Sequence, residues 1–369
     1  MVFSHHWLSE SFTQESRKQA LHDESTRNFG TKKHHYVPRF YLKRWANPEG
    51  ESKMTIVDSG SSYVQPVEQL ARKTNFNRFS ADDIDPVLYP ALWVEKHMSR
   101  IEDQIAIRLT EACATGPGPV NDPLLKADIA VFVGLQYVRG VKYRKYALKL
   151  DEKISTLDPL QLRQTVSLLL PTLLPTFGIS YDPSRHEEQL EDILSKSTSS
   201  GSSDPRVKAL DQALSDLRVV VSDSVHKRLW AIYATVNPIV TCDEPVIMIP
   251  GGKYDRSRWL GPNHSQAIIF PLDPHHLLVM LTRNLSHTEP FILDEEEAFE
   301  VNLEFVAGSD QCAFERPQDS IVSRFDIPPR RPARPVGSAP NLFDATRQPE
   351  RWPEGAVPGG RSQGGTPSV

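Results

Sequence analysis

The stretch QAIIFPLDPHHLLVML at residues 266–281 decides the fold class, because it is dense in apolar residues and is interrupted by proline and aspartate. Short apolar runs that are bounded by turn residues are typical of strands in a sheet. Two runs before it share this pattern, LWAIYAT at 229–235 and NPIVTCDEPVIMIP at 237–250. This part of the chain therefore predicts a sheet, which a helix at 294–308 and a strand at 311–315 complete.

The region before these strands has the periodicity of helices. In residues 90–113, apolar side chains recur every three or four positions until the stop signal TGPGP. Further helices are predicted at 124–150, at 159–177 with kinks at two prolines, and at 206–229. We therefore predict an α+β fold, a central helical bundle with a mostly C-terminal β-sheet that together form one domain.

Both ends of the chain differ in composition from the part between them. Residues 1–31 are polar without a sustained period, which predicts a disordered arm. Residues 328–369 contain nine prolines and six glycines, which disfavour both helix and sheet and predict a disordered tail. The globular domain is predicted at 32–327.

Composition and charge exclude several classes of protein. With 39% hydrophobic and 24% charged residues, the chain has no apolar run of about 18 residues that could cross a membrane. The first residues do not resemble a secretory signal, so we expect a cytoplasmic protein. Three scattered cysteines argue against a disulfide framework and against a cysteine zinc site. A net charge of -5 excludes a globally basic nucleic-acid binder but allows a local basic patch.

Such a patch is found at residues 32–44, KKHHYVPRFYLKR, which contain five cations and no acid. Lys32 and Lys33 are predicted to contact the phosphates of a nucleic acid, which this basic segment suggests as a partner. The cations near His35 favour its neutral form, as a general base requires. The same histidine could equally pack inside the protein with one ring nitrogen bonded to a backbone carbonyl.

Several segments, in this order, resemble those of domain-of-unknown-function family 4238, whose bacterial and fungal members are uncharacterised. They are HHYVPRFYLKRW at 34–45, WVEKHMSRIEDQIA at 93–106, FVGLQYVRG at 132–140, TCDEPV at 241–246 and IIFPLDPHHLL at 268–278. The resemblance covers residues 32–316. It implies that His35 matches the histidine of the N-terminal signature, that 93–106 is the paired-glutamate helix and that 132–140 is the Gln-x-x-Arg helix. Cys242 stands where the family usually has serine.

Two polar residues of the 124–150 helix fall on its apolar face. At about 100° per residue, Gln136 lies within the apolar stripe and Arg139 at its edge. A buried guanidinium requires an anion, which is either a structural partner or the carboxylate or phosphate of a substrate. Asp243 is the best candidate for a protein partner because it directly follows a strand. Its carboxylate could instead bond its own backbone in a turn.

These residues lead to two hypotheses for function. In the first, the protein is a hydrolase of a phosphate-containing substrate, in its most specific form a nuclease. His35, Asp243 and Glu102 are then catalytic, and the substrate is bound by Arg139, Gln136, Lys32 and Lys33. In the second, the protein is a non-catalytic module that binds nucleic acid or protein and has a buried polar network. The sequence specifies neither a metal, a cofactor nor an oligomeric state, and it leaves open whether the protein is an enzyme.

Overall fold

The computed structural model describes residues 8–26, 33–176, 180–197, 202–251, 261–326, 330 and 351–352. In this part of the chain, helices and mainly antiparallel strands form an α+β fold, as predicted, with most strands in the C-terminal half. No helix among these residues is long and apolar enough to cross a membrane.

The helices are α1 (Glu10–Ser25), α2 (Arg39–Leu42), α3 (Trp93–Ala114), α4 (Pro123–Arg139), α5 (Val141–Ser155), α6 (Pro159–Thr176), α7 (His186–Ser197), α8 (Pro205–Val219) and α9 (Glu295–Gly308). The strands are β1 (Lys33–His35), β2 (Glu51–Ile56), β3 (Ser61–Pro66), β4 (Arg72–Thr74), β5 (Gly118–Pro119), β6 (Leu229–Thr235), β7 (Thr241–Cys242), β8 (Ile247–Ile249), β9 (Ala267–Asp273), β10 (His276–Leu281), β11 (Ile292–Leu293) and β12 (Cys312–Glu315).

The predicted helix at 124–150 is two helices, α4 and α5. Helix α4 begins where the side chain of Asp122 accepts hydrogen bonds from the amides of Leu124 and Leu125, with proline at its first position. It ends at Arg139 because Gly140 adopts an extended conformation. Almost every residue of α4 is buried, including Gln136 and Arg139. Helix α4 is therefore the central element that positions these polar side chains inside the protein.

The strands form three sheets among the described residues. The largest has the order β11-β6-β10-β9-β8, with β5 also paired to β6. A second sheet has the order β3-β2-β12-β7, and β1 pairs with β4. The sequence did not predict β2 and β3, whose residues are largely polar. Strand β3 pairs with β2, and β2 pairs with β12, which lies more than 250 positions away in the chain. Consequently, one sheet combines N-terminal and C-terminal strands.

An aromatic contact joins the basic segment to the core. The ring of Tyr41 on α2 lies 5.9 Å from that of Phe132 on α4 and 5.3 Å from that of Phe270 on β9. Its hydroxyl donates to the carbonyl of Pro271 at 2.8 Å and lies 2.9 Å from the hydroxyl of Thr241. These buried contacts fix α2, and with it the preceding strand β1 that contains His35.

The N-terminal region differs from the disordered arm that the sequence predicted, because residues 10–25 form helix α1. Its Ser9 cap accepts a hydrogen bond from the amide of Phe12 at 3.3 Å. One face packs on α3, where Ala20 is buried and the indole of Trp93 donates to the carbonyl of Thr13 at 3.0 Å. Burial of a few small side chains on a neighbouring helix thus stabilises a segment whose sequence has little amphipathic pattern. Residues 1–7 and 27–32 lie outside the described part.

In the predicted tail, only Arg330, Arg351 and Trp352 are described. Arg351 is buried, and its guanidinium donates to the backbone carbonyls of Ser309 at 2.6 Å and of Asp310 at 3.1 Å. The other residues of 328–369 lie outside the described part, so the predicted division into arm, domain and tail remains a prediction.

Candidate functional site

A cluster of polar side chains lies where β1, α3, α4 and α5 meet. It comprises His35 from β1, Glu102 from α3, Gln136 and Arg139 from α4, and Arg144 from α5, and we refer to it as the Arg139 cluster. The sequence predicted the first four as site residues. The contacts of Arg139 connect three of the four elements, β1, α3 and α4.

Arg139 is the best-connected member of the cluster, with a side chain that is only 2% exposed. Its Nη1 donates to Glu102 Oε1 at 2.5 Å, and its Nη2 donates to the backbone carbonyl of His35. The predicted pairing with Asp243 is wrong, since within the described residues Glu102 supplies the carboxylate. Helix α3 packs along α4, so its glutamate reaches the guanidinium before any residue of the sheet does. Burial raises the pKa of Glu102, and Arg139 opposes this shift.

His35 is held in one tautomer. Its ring donates to the backbone carbonyl of Glu68, whereas Nε2 is buried and lacks a hydrogen-bond partner among the described residues. The proton is therefore assigned to Nδ1, which leaves a lone pair on Nε2. Burial lowers the pKa of His35, an effect that the Glu68 carbonyl opposes and that Arg139 reinforces. The histidine is thus neutral at neutral pH.

Four groups of the cluster have buried polar atoms that no described residue satisfies. They are His35 Nε2, the Nε atoms of Arg139 and Arg144, and both amide atoms of Gln136. Gln136 is 1% exposed, so its amide oxygen and nitrogen are both removed from bulk water. Burial of a polar group without a hydrogen bond is costly, so each of these atoms needs a partner, either a bound water or a ligand.

The exposed cations of the basic segment flank this cluster. Lys33 is exposed at the start of β1, and Arg39 and Lys43 are exposed on and after α2. Along β1 the side chains alternate, so His34 is buried while His35 is partly accessible, as the sequence predicted. Lys32, the other lysine predicted to bind substrate, lies outside the described residues.

Asp243 lies in a second, acidic cluster beyond the end of α4. Its Oδ1 accepts from the amide of Asp310 at 2.7 Å, and its Oδ2 accepts from the amides of Gln311 at 2.7 Å and Cys312 at 3.0 Å. Asp243 directly follows β7, as predicted, and its carboxylate holds the turn that leads into β12. Burial and the neighbouring Asp310 raise the pKa of Asp243 to about 6, although the three amides oppose the shift.

Glu244 connects the acidic cluster to the Arg139 cluster. Its Oε1 accepts from the amide of Lys142 at 2.7 Å, and its carboxylate lies against Gly140, which directly follows Arg139. A Cβ at position 140 would lie 2.1 Å from Glu244 Oε2, so any larger residue there would have to displace the Glu244 carboxylate. Burial and Asp243 raise the pKa of Glu244 to about 8. The break between α4 and α5 is thus the place where the two clusters meet.

The family profile described as "Protein of unknown function (DUF4238)" matches residues 33–319. The chain belongs to the DUF4238 family. No curated protein and no solved structure matches it. The match confirms the resemblance that the sequence suggested and covers every helix and strand from β1 to β12.

Three of the segments that resemble DUF4238 sequences supply the Arg139 cluster. The signature around His35, the paired-glutamate helix and the Gln-x-x-Arg helix lie far apart in the chain and converge in the fold. The segment with Asp243 instead supplies the acidic cluster. Cys242, at the usual serine position, is fully buried in β7.

Two members of the site were not predicted from the DUF4238 segments. Arg144 is buried with its guanidinium 5.2 Å from the ring centre of Phe76, and burial followed by the charge of Arg139 lowers its pKa. Asn77 donates through its amide side chain to Glu95 at 3.0 Å, and its backbone amide donates to His34 Nδ1 at 3.0 Å. In the sequence, Arg144 lies among other cations in KYRKY, a pattern typical of a solvated helix face, so no local signal distinguishes it.

Proposed function

We propose that this DUF4238 protein is a hydrolase that binds a phosphate-containing substrate at the Arg139 cluster and cleaves it with water that His35 activates. One observation carries the proposal: His35 and Arg144, both with unsatisfied buried atoms, lie near the equally unsatisfied Arg139, and the unsatisfied amide of Gln136 lies one turn before Arg139 on α4. This combination of donors and positive charge suits an anionic oxygen ligand.

The donors that a substrate phosphate would use are the Nε atoms of Arg139 and Arg144 and the amide nitrogen of Gln136. The two terminal nitrogens of Arg139 are already bonded to Glu102 and to the His35 carbonyl, which fixes the direction of its Nε. A guanidinium that is held in this way loses little side-chain entropy when it binds. Arg144 adds a second charge on a side chain stacked against Phe76. Together these groups support recognition of a phosphate with at least one ionised oxygen.

The proposed reaction uses the lone pair of His35. Nε2 takes a proton from water, the water oxygen forms a bond to phosphorus, and the bond from phosphorus to the leaving oxygen breaks. Arg139 and Arg144 stabilise the negative charge that develops on the phosphoryl oxygens. The leaving oxygen is protonated by solvent, His35 returns its proton to solvent, and the Glu102 carboxylate holds the guanidinium of Arg139 in place. Asp243 is left out of this scheme because both its oxygens are bonded to backbone amides.

Nucleic acid is the phosphate substrate that the basic segment favours. Lys33, Arg39 and Lys43 are exposed and lie on the same short segment as His35, so a chain of phosphates could contact them while one phosphate enters the cluster. Lys32 would extend this contact. The proposed activity is therefore that of a nuclease in a cytoplasmic protein.

The direct test is incubation of the full-length protein with labelled single- and double-stranded DNA and RNA, and with bis(p-nitrophenyl) phosphate, each with and without magnesium or manganese. We expect cleavage of at least one substrate, and we expect His35→Gln to reduce turnover at least about a hundredfold while the melting temperature changes little. His22→Gln, on an exposed face of α1, is the matched control and should retain full activity. Absence of cleavage under all conditions would refute the hydrolase.

A non-catalytic binding module is the second candidate, and the contacts of Arg139 favour it. An ion pair between Arg139 and Glu102 that is completed by a backbone carbonyl has the form of an internal polar network. In that case the protein should bind nucleic acid in a salt-dependent manner through Lys33, Arg39 and Lys43 without cleaving it. Lys33→Ala should then weaken binding to all sequences alike.

Gln136 distinguishes a ligand site from a purely structural network. If its buried amide is completed only by a ligand, Gln136→Met removes an unsatisfied group at nearly constant volume and should raise the free energy of unfolding by about 1 to 2 kcal/mol. The same change should abolish binding of phosphate-containing ligands. Chemical denaturation and ligand titration measure the two effects on one preparation. Gln104→Met, at an exposed position of α3, is the control and should change neither. Destabilisation by Gln136→Met would indicate a structural amide.

A further inference from the structure

A second group of chemically versatile side chains lies on the other side of the basic segment, where α3 ends against the turn between β9 and β10. Cys113 is in the last turn of α3, Asp273 ends β9 and His276 begins β10. Each residue offers one ligand atom, and these three atoms lie within 4.8 Å of one another. They are the Sγ of Cys113, a carboxylate oxygen of Asp273 and a ring nitrogen of His276. All three residues are partly accessible, and none belongs to the Arg139 cluster or to the acidic cluster.

We propose that Cys113, Asp273 and His276 form a binding site for a zinc-class transition-metal ion, and that Arg44 occupies the site of the cation until the metal binds. Thiolate and imidazole ligands select zinc and related ions over magnesium or calcium, which prefer oxygen ligands only. The three scattered cysteines form no C-x-x-C pair and argued against a site built from cysteines, but one cysteine with a histidine and a carboxylate needs no such spacing.

The geometry of the hairpin supports the site. His276 Nδ1 lies 3.0 Å from both oxygens of Asp273, and the amide of His275 donates to Asp273 Oδ1 at 2.7 Å. Two of the three ligands are therefore already oriented by a short turn. In a tetrahedral zinc site, bonds of about 2.0 to 2.3 Å separate the ligand atoms by about 3.3 to 3.8 Å. A small movement of Cys113 towards the turn gives this arrangement.

Arg44 shows that the three ligands already attract a cation. Its Nη2 donates to Cys113 Sγ at 3.1 Å and lies 3.6 Å from Asp273 Oδ2, while its Nε is buried without a partner among the described residues. The guanidinium is thus only partly satisfied at this position and can be displaced towards solvent. Metal binding releases the thiol proton of Cys113 and moves the Nδ1 proton of His276 to Nε2. The ion with one thiolate and one carboxylate then forms a neutral unit.

Cobalt is the probe of choice, because a cobalt ion bound to a thiolate has a charge-transfer absorption band in the near ultraviolet. We expect the full-length, reduced protein to bind one equivalent of Co²⁺ with this band, to release about one proton per ion, and to lose the band when Zn²⁺ is added. Cys113→Ser should lose the band, whereas Cys312→Ser, which removes a thiol outside the group, should retain it. Zn²⁺ should also raise the melting temperature of the wild-type protein but not of Cys113→Ser.

Substitution of Arg44 tests the competition directly. Arg44→Met removes a positive charge next to two ligands and should lower the dissociation constant of Co²⁺ by about tenfold or more. Unchanged affinity in this variant would refute the competition between Arg44 and the metal. A band that persists in Cys113→Ser, or no band at all in the wild-type protein, would refute the site. His276→Ala provides a second variant that leaves α3 unchanged and should abolish binding.

Discussion

Asp243→Ala is expected to lower the free energy of unfolding by about 3 kcal/mol or more, the largest loss of stability that we predict for a single substitution. The carboxylate accepts hydrogen bonds from three consecutive backbone amides, those of Asp310, Gln311 and Cys312, in a fully buried place. Removal of the side chain leaves all three donors without this partner. The turn that leads into β12 then loses its support, and with it the pairing of β12 with β7 and β2.

Asp243→Asn refines this expectation. An amide keeps one acceptor oxygen but brings N–H groups towards the remaining backbone donors. The free energy of unfolding of Asp243→Asn should therefore lie between that of the wild-type protein and that of Asp243→Ala. Asp103→Ala, on an exposed position of α3, controls for the removal of a carboxylate and should be nearly neutral. Urea unfolding at constant pH measures all three variants. Equal stability of Asp243→Ala and the wild-type protein would show that the amides find other partners.

The same variants distinguish a loss of stability from a loss of catalytic activity. In the proposed hydrolase, Asp243 does not contact substrate, so Asp243→Asn should retain most of the turnover per folded molecule, in contrast to His35→Gln. The sequence predicted Asp243 as catalytic because it ends a strand, a position that is common in active sites. The structure shows that the position at a strand end is equally suited to holding the backbone of the following turn.

The sequence predicted the elements well where a local pattern exists. Helix α3 and the strands β9 and β10 follow from apolar periodicity and from bounding turn residues, and the α+β class follows from their order. No such pattern marks β2 and β3, because β3 forms by pairing with β2, and β2 itself pairs with the distant β12. A local pattern was also insufficient at Gly140, where α4 ends in an extended residue that lies against the Glu244 carboxylate. In both cases the deciding contact comes from a distant part of the chain.

Contacts between distant parts of the chain also determine the candidate site. A buried guanidinium requires an anion, so the sequence correctly demanded a partner for Arg139. The choice between Glu102 and Asp243 depends on which element packs beside α4, and that is a property of the tertiary structure. The sequence named Glu102 only as a catalytic candidate on the paired-glutamate helix and chose Asp243, at a strand end, as the partner of Arg139. Arg144 and Asn77 carry no local signal at all, since only the fold buries them.

The second large effect concerns the dependence of stability on pH, which should be dominated by Glu244 above about pH 6.5. Its pKa is raised from 4.5 to about 8 in the folded protein, so the folded state holds a proton that the unfolded state has already released. The free energy of unfolding should therefore fall as the pH rises towards 8, by about 1.4 kcal/mol per pH unit at most. Between pH 6.5 and 8 this amounts to about 2 kcal/mol.

At lower pH, other groups change the free energy of unfolding in the opposite direction. Burial lowers the pKa of His35, His97 and His287 below 6.5, so their contribution to stability rises with pH until they are neutral in the unfolded state as well. This contribution is half-titrated at pH 6.5 and nearly complete by about pH 7.5, so it partly offsets the effect of Glu244 in the lower part of the window. The charged groups that act on Glu244 itself are Asp243 and Asp310, which raise its pKa, and Lys142, which lowers it.

Glu244→Gln isolates this effect, because glutamine keeps an acceptor for the amide of Lys142 but cannot ionise. We expect the variant to be more stable than the wild-type protein at pH 8, with the difference shrinking towards pH 6.5 as Glu244 becomes protonated. Glu300→Gln, at an exposed position of α9, should retain the wild-type dependence. Urea unfolding at intervals of half a pH unit measures the slopes. A wild-type stability that increases between pH 6.5 and 8 would mean that Glu244 is ionised at neutral pH, and the carboxylate against Gly140 would then carry a negative charge beside Asp243.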